Sequence, residues 1–160
     1  MEYQYNKMLE IMGTSIEDMS NLKNFKQIQV QGISRLIDKK TDIGFLLRVN
    51  AMVKINEKRL INSPKSISLG GQRLTGKILV VDGEVIHTIE YVDCDTCQAV
   101  HSANLGLHFS TYIVLDSTFE TESRVDIVAY NEDIFIKQIN KRKIYFSDMI
   151  LLNVVNLDSI

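Results

Sequence analysis

Apolar and polar residues alternate along most of the chain from residue 25 onward, which is the period of half-buried β-strands. Residues 47–55 show the pattern clearly, because their apolar side chains fall on one face: Leu47, Val49, Ala51, Val53 and Ile55. Similar segments between polar turns indicate about eight strands. The chain has no alternation of strands with helices, which argues against a doubly wound nucleotide-binding sheet. We therefore predict a mainly β single domain over residues 23–160, arranged as an antiparallel, jelly-roll-like β-sandwich.

The segment from residue 77 to residue 92 is compatible with two structures. Asp82-Gly83 between apolar residues is a strong hairpin signal. However, one alternate set runs unbroken through the glycine: Leu79, Val81, Gly83, Val85, His87, Ile89 and Tyr91. A two-residue turn would pair Val81 with Glu84 and mix apolar with acidic positions on one face. We favour a single long strand with a bulge or bend at Gly83, and the hairpin stays open as the alternative.

The first 22 residues follow a different period. Their apolar side chains are spaced as on one face of a helix: Met8, Leu9, Met12, Ile16 and Met19. We predict a short helix or N-terminal arm over residues 1–22. Such an arm either packs on its own domain or docks onto a neighbouring subunit.

Composition and charge narrow the classes of function. A chain of 160 residues with 45% hydrophobic and 24% charged residues can bury the core of one domain. The formal net charge of −2 argues against nucleic-acid binding, which usually needs a basic surface. No apolar run approaches the length of a membrane span, and the first residues lack the pattern of a signal peptide. We therefore expect synthesis in the cytoplasm.

The strongest candidate chemistry is the pair Cys94-x-x-Cys97, which is followed by His101 and His108. A zinc site needs about four such ligands, and structural sites usually have two cysteine pairs, so we predict no metal. A thioredoxin-like redox role would require the pair at the start of a helix. Two alternatives remain for Cys94 and Cys97: reduced loop thiols, or a disulfide or cross-link if the protein reaches an oxidising setting.

The remaining polar residues form no catalytic motif. His87 falls on the apolar face of its strand, where a hydrogen-bonded structural histidine is expected. The carboxylate pairs Asp93 with Asp95 and Glu120 with Glu122 lie in predicted loops, as solvated surface groups usually do. The same holds for a basic cluster at a predicted turn: Lys137, Lys141, Arg142 and Lys143. We predict neither enzymatic activity nor a cofactor.

A long colinear series of motifs runs through Gly71–Lys77, Ile89–Val92, Gln98–Ala103 and Phe109–Leu115. This series resembles the SPOCS domain of spore-forming clostridia. In this family a GQxLTGK strand leads to IEYV, a loop, QxVHxA and PFSxFIVL. Further similarity includes Phe25–Ile28, Asp42-Ile43 and the KQINKRKIY region, and it covers roughly residues 23–155. The chain departs from the family at the Cys94–Cys97 loop and at His108, where the family often has proline.

The resemblance implies a structural or interaction protein of the spore coat or surface layer, without catalytic residues. Its expected partners are spore-envelope proteins and further copies of itself, joined through strand edges, loops and the arm. Because the chain ends just after the domain, we expect no cell-wall-binding LysM module. On the spore surface, Cys94 and Cys97 would be open to oxidation into cross-links. The alternative is a carbohydrate- or wall-binding module, for which the candidate aromatic residues are Tyr91, Phe109 and Tyr112.

Overall fold

The protein is mainly β. The structure, a computed structural model, describes residues 9–14 and 22–159. It has seven strands followed by a short 3-10 helix at Leu157–Ser159. The strands are β1 (Glu10–Met12), β2 (Phe25–Arg35), β3 (Ile43–Ile67), β4 (Arg73–Asp93), β5 (Val100–Val114), β6 (Val125–Gln138) and β7 (Lys143–Asn156). Among these residues, no helix is long and apolar enough to cross a membrane.

The strands form two sheets that share their apolar interior. One sheet has the order β1-β3-β4-β5 and the other the order β2-β7-β6. All neighbours are antiparallel except β1 and β3. Two buried clusters draw side chains from both sheets; Val81, Ile113 and Ile150 belong to one, and Val49, Ile89 and Phe146 to the other. Alternation along each strand therefore places one apolar set between the sheets, as the sequence predicts.

The long-strand interpretation of residues 77–92 agrees with the structure, but the bulge lies elsewhere. β4 runs without interruption through Asp82 and Gly83. The register shift is in the partner strand β3, where Ile55 pairs with Gly83 and Glu57 with Asp82. Gly83 is required for another reason: a Cβ there would lie 2.6 Å from Phe109 Cζ. The ring of Phe109, its register partner in β5, packs directly over the glycine backbone.

The prediction of an N-terminal helix is wrong for the residues that the structure describes. Residues 10–12 are extended and pair with β3 from Arg48 to Asn50. The free edge of β3 offers unpaired N–H and C=O groups, and an extended segment satisfies them where a helix would not. Arg48 Nε also donates to Glu10 Oε2 at 2.8 Å. The rest of the predicted helical face (Met8, Ile16 and Met19) lies outside the described residues.

A two-stranded ribbon extends beyond the body of the four-stranded sheet. Pro64 and the Gly70-Gly71 pair are typical of a connection, but β3 continues through the proline to Ile67 and β4 begins at Arg73. The pairing of β5 with β4 ends at Ile78, so the last part of the β3–β4 ribbon has no third strand. The turn is closed by a hydrogen bond from Gly71 N to Ser68 O, and Gly71 has a φ of 82°.

Candidate interaction surface

The Cys94–Cys97 loop connects β4 to β5 at one end of the four-stranded sheet. Both thiols are exposed and free. The loop is anchored at its base, where His101 Nε2 lies 2.7 Å from Asp93 Oδ2 and Asp93 Oδ1 accepts a hydrogen bond from Asp95 N. The thiols are therefore open to solvent on a loop whose start is held in place.

The four residues considered for a metal site do not converge. The His101 ring is held against Asp93, whereas His108 lies further along β5, opposite Glu84. The side chain of His108 is largely exposed, and its Nε2 is 4.0 Å from Glu84 Oε2. Across residues 9–14 and 22–159, no group of three or more His, Cys, Asp or Glu side chains is arranged to hold a metal ion.

His87 is buried and hydrogen-bonded, as its position on the apolar face of the strand predicts. Its Nε2 lies 2.8 Å from Asp148 Oδ2, and neither side chain is exposed to solvent. The ring stacks on Phe146 at 3.9 Å between centroids. Asp148 could have been singled out from the sequence, because it is the one acid in the inward-facing series of β7: Ile144, Phe146, Asp148, Ile150, Leu152 and Val154.

The carboxylate pairs and the basic cluster have separate roles. Glu120 and Glu122 are exposed, and Asp95 is exposed whereas Asp93 is buried, so neither pair forms a joint site. The prediction of a merely solvated turn is wrong for one basic residue. Arg142 Nη1 donates to Asp42 Oδ1 at 2.7 Å, and Nη2 donates to Ile37 O at 2.7 Å. This guanidinium fixes the β2–β3 loop because its rigid fork can bind several acceptors at once.

The three aromatic residues proposed for sugar binding do not form a platform. Tyr91 is completely buried, and its hydroxyl donates to Thr41 O at 3.1 Å. Phe109 covers Gly83. Only Tyr112 of the three is exposed, and Lys26 Nζ lies 4.0 Å from the centre of its ring. Core packing therefore accounts for two of the three.

An exposed apolar cluster lies instead on the outer face of the three-stranded sheet, the side that faces away from the interior. We define this outer face by three rows of register partners: Ile33, Tyr145 and Lys137; Gln31, Ser147 and Phe135; and Gln29, Met149 and Asp133. Ile33 is 58% exposed and Phe135 is 54% exposed. Phe135 and Tyr145 pack edge to face, with 6.3 Å between ring centroids. The sequence alone did not reveal this cluster, because its members come from three separate strands.

Four uncharged side chains of the outer face are paired with each other. Gln29 Nε2 donates to Ser147 Oγ at 2.8 Å. The Tyr145 hydroxyl donates to Gln31 Oε1 at 3.1 Å. Covering a polar group that keeps a hydrogen-bond partner costs much less than covering one that loses it. These four side chains can therefore be covered at a low desolvation cost.

Opposite charges stand on either side of Phe135 along β6. Asp133 and Lys137 are both exposed, each two residues from Phe135, and so they share its side of the strand. Neither forms an ion pair with another residue in the described part of the chain. Phe135, on the edge strand β6, is thus flanked by an acid toward one end of the strand and a cation toward the other.

A second exposed apolar feature is the tip of the β3–β4 ribbon. Leu69 is fully exposed in the turn, and Ile67 is 72% exposed beside it. A groove of about 500 Å³ lies between the outer part of the ribbon and the segment that follows β5. Its lining residues include Lys65, Arg73, Leu74 and Asp116. The ribbon tip is far along the chain from the outer face and belongs to the other sheet, so the two features are separate surfaces.

Comparison of the chain with protein-family models, with curated proteins and with solved structures gives no significant match. The similarity to the SPOCS domain therefore stays a prediction from the residues that carry it.

Proposed function

We propose that this chain is a non-catalytic structural or interaction protein of the spore envelope, and that it acts by protein–protein contacts and self-assembly. The observation that carries the proposal is the exposed apolar cluster around Phe135 and Ile33 on the outer face. Contiguous exposed apolar side chains on a folded domain commonly mark a protein interaction site. The place in the spore envelope, and envelope proteins as partners, come from the SPOCS resemblance.

The separation of the polar side chains supports a non-catalytic role. His87 and Asp148 are sealed in the interior, where a substrate has no access. His101 is paired with Asp93 at a loop base, and His108 lies on the surface of β5 beside Glu84. Catalysis needs such groups to converge on one reacting atom. Contact surfaces explain the described residues better than an active site.

The fold that we propose is an antiparallel β-sandwich of the jelly-roll type. Two apolar clusters that join the sheets support it, as does the hydrogen bond from Lys26 Nζ in β2 to Tyr112 O in β5, which ties two sheet edges together. Such a body presents its sheet faces, its edges and the β3–β4 ribbon to other molecules. The outer face and the ribbon tip are two separate surfaces, and a polymer needs at least two contacts per subunit.

The proposal is tested by the assembly state of the purified full-length chain. Light scattering and negative-stain electron microscopy should show dimers or larger assemblies that grow with protein concentration. Antibody labelling of sporulating cells should place the protein at the spore surface. A chain that stays monomeric at all concentrations and is spread through the mother cell would contradict the proposal.

The second candidate is a carbohydrate- or wall-binding module, and one observation favours it. Tyr145 and Phe135 lie on the same face of the sheet as the amides of Gln29 and Gln31, a combination that can stack on a sugar ring and bind its hydroxyls. Titration of the protein with soluble wall fragments, followed by NMR, tests this candidate. Shifts confined to residues of the outer face would favour it, and unchanged spectra at millimolar ligand would exclude it.

A further inference from the structure

We infer that the outer face of the three-stranded sheet is the contact between two copies of this chain, related by a twofold axis that runs across the strands above Phe135. This inference rests on the proposed function, because it assigns one surface to the self-association. It commits to a second copy as the occupant of the face. The argument comes from the order of charged and apolar side chains in the three rows.

The twofold axis brings unlike charges together on both sides. The axis lies between the two faces and runs along the row of Gln31, Ser147 and Phe135. Each strand then packs against the same strand of the second copy, and the two strands run in opposite directions. The row that contains Lys137 then lies on the row that contains Asp133 of the second copy. Symmetry makes the second contact equal to the first, so two exposed cation–acid pairs form on the two sides of the Phe135 pair.

The same axis sets the middle row of each copy on itself, so Phe135 meets Phe135 of the other copy. Because β6 is an edge strand of the sheet, this aromatic pair lies at one side of the contact, with Ser147 at its middle and Ile33 over Gln29 at the other side. Tyr145 of one copy lies on Met149 of the other, an aromatic–sulfur contact. The alternative axis, parallel to the strands, would set Lys137 on the apolar side chain of Ile33. The charge order therefore selects the first arrangement.

The area of the outer face determines the affinity that we expect for the dimer. Three strands and three outward rows cover an area of about 14 by 20 Å. Such a patch is smaller than a standard specific interface, so the contact by itself is weak and reversible. We therefore expect a dimer that dissociates in the micromolar range or above. In a crowded envelope layer, a second contact at another surface would raise its effective strength.

The test uses two charge-reversed chains and sedimentation velocity of the full-length protein over a range of concentrations. Lys137→Asp gives a chain with two acids flanking Phe135, and Asp133→Lys gives a chain with two cations there. Each alone should dimerise several-fold more weakly than the wild type, since like charges then face each other. An equimolar mixture of the two should regain the wild-type association, because both facing pairs are again unlike. A mixture that associates no better than the separate chains overturns the inference.

An apolar substitution and a matched control complete the experiment. Phe135→Lys should weaken dimerisation by about tenfold or more, since it places two cations on the axis. Leu69→Lys, at an equally exposed apolar residue on the ribbon tip, should leave the dimer unchanged. Equal effects of the two substitutions would contradict the inference. Circular dichroism and the urea midpoint verify that every variant is folded.

The outcomes separate this inference from the proposed function. If the wild-type chain is monomeric at all concentrations, both fail. If it associates but neither the charge mixture nor Phe135→Lys behaves as expected, self-association stands and this face is not the contact.

Discussion

His87 in β4 and Asp148 in β7 face each other across the interior, and their Nε2 and Oδ2 atoms are 2.8 Å apart. The pair joins the four-stranded sheet to the three-stranded sheet at a point that no solvent reaches. Within residues 9–14 and 22–159, neither His87 Nδ1 nor Asp148 Oδ1 has a hydrogen-bond partner. The hydrogen bond between the two side chains therefore accounts for the polar contacts of both side chains in this part of the chain.

Removing one member of this pair should be strongly destabilising. His87→Leu leaves a buried carboxylate without a partner, and we expect a loss of about 3–5 kcal/mol in the free energy of unfolding. The double variant His87→Leu with Asp148→Leu should recover most of that loss, since no polar group then remains unpaired. Urea unfolding followed by circular dichroism measures both. The matched control is His101→Ala at the partly exposed pair with Asp93, which should cost about 1 kcal/mol or less. Equal losses at the two pairs would contradict the role assigned to burial.

The hydrogen bonds of Asp116 should make stability depend on pH in the acid range. The Thr118 hydroxyl and, to a smaller extent, the Asn24 amide hold the pKa of the Asp116 carboxyl below its ordinary value. A lowered pKa in the folded state means that the ionised form contributes stability above the unfolded pKa of about 3.9. That contribution is lost as the pH falls through the folded value.

Asp116→Asn should therefore be less stable than the wild type at neutral pH. The difference in the free energy of unfolding should shrink as the pH falls below the pKa of an ordinary carboxyl group. Urea midpoints of both proteins between neutral and strongly acid pH measure the difference. Glu122→Gln, at an exposed loop carboxylate, serves as the control with a flat difference. A difference in urea midpoint between Asp116→Asn and the wild type that grows as the pH falls would contradict the predicted direction of the pH dependence.

Gly83 should not tolerate a side chain. Ala at this position would place its Cβ 2.6 Å from Phe109 Cζ and 2.7 Å from Lys54 O. We expect Gly83→Ala to cost about 1–3 kcal/mol in thermal or urea unfolding. Adding Phe109→Leu should recover only part of the loss, because the backbone oxygen stays in place. Gly106→Ala in β5 is the matched control, since its Cβ would meet only the flexible Glu84 carboxylate at 3.3 Å. A harmless Gly83→Ala would refute the close packing of the Phe109 ring.

Cys94 and Cys97 should react with thiol reagents in the native state, because both side chains are exposed. We expect two alkylated thiols per folded chain without denaturant, by mass spectrometry. Replacing both with serine should leave the urea midpoint almost unchanged, since surface substitutions usually alter stability by about 0.5 kcal/mol or less. In protein from spores, the same method tests the proposed cross-link. Finding only free thiols there would remove it.

Some local features could be predicted from the residues because strand periodicity reports burial directly. The alternating series of β4 predicted one strand through Gly83, and its set from Leu79 to Tyr91 does face the interior. The buried position of His87 followed from the same alternation. The helical spacing of Leu9 and Met12 led to a wrong prediction, because residues 10–12 pair as a strand with the open edge of β3. The spacing of apolar residues within one segment cannot predict pairing with the edge of a sheet strand that lies about forty positions later in the chain.

The sequence by itself determined the mainly β character, the inward-facing set of each strand and the exposed loop that holds Cys94 and Cys97, since these depend on neighbours along the chain. The tertiary structure alone decided which strands became partners. It placed Asp148 on His87 and assembled Ile33, Tyr145 and Phe135 into one outer face. These relationships join residues far apart in the chain, and their pairing is set by the register and packing of the sheets.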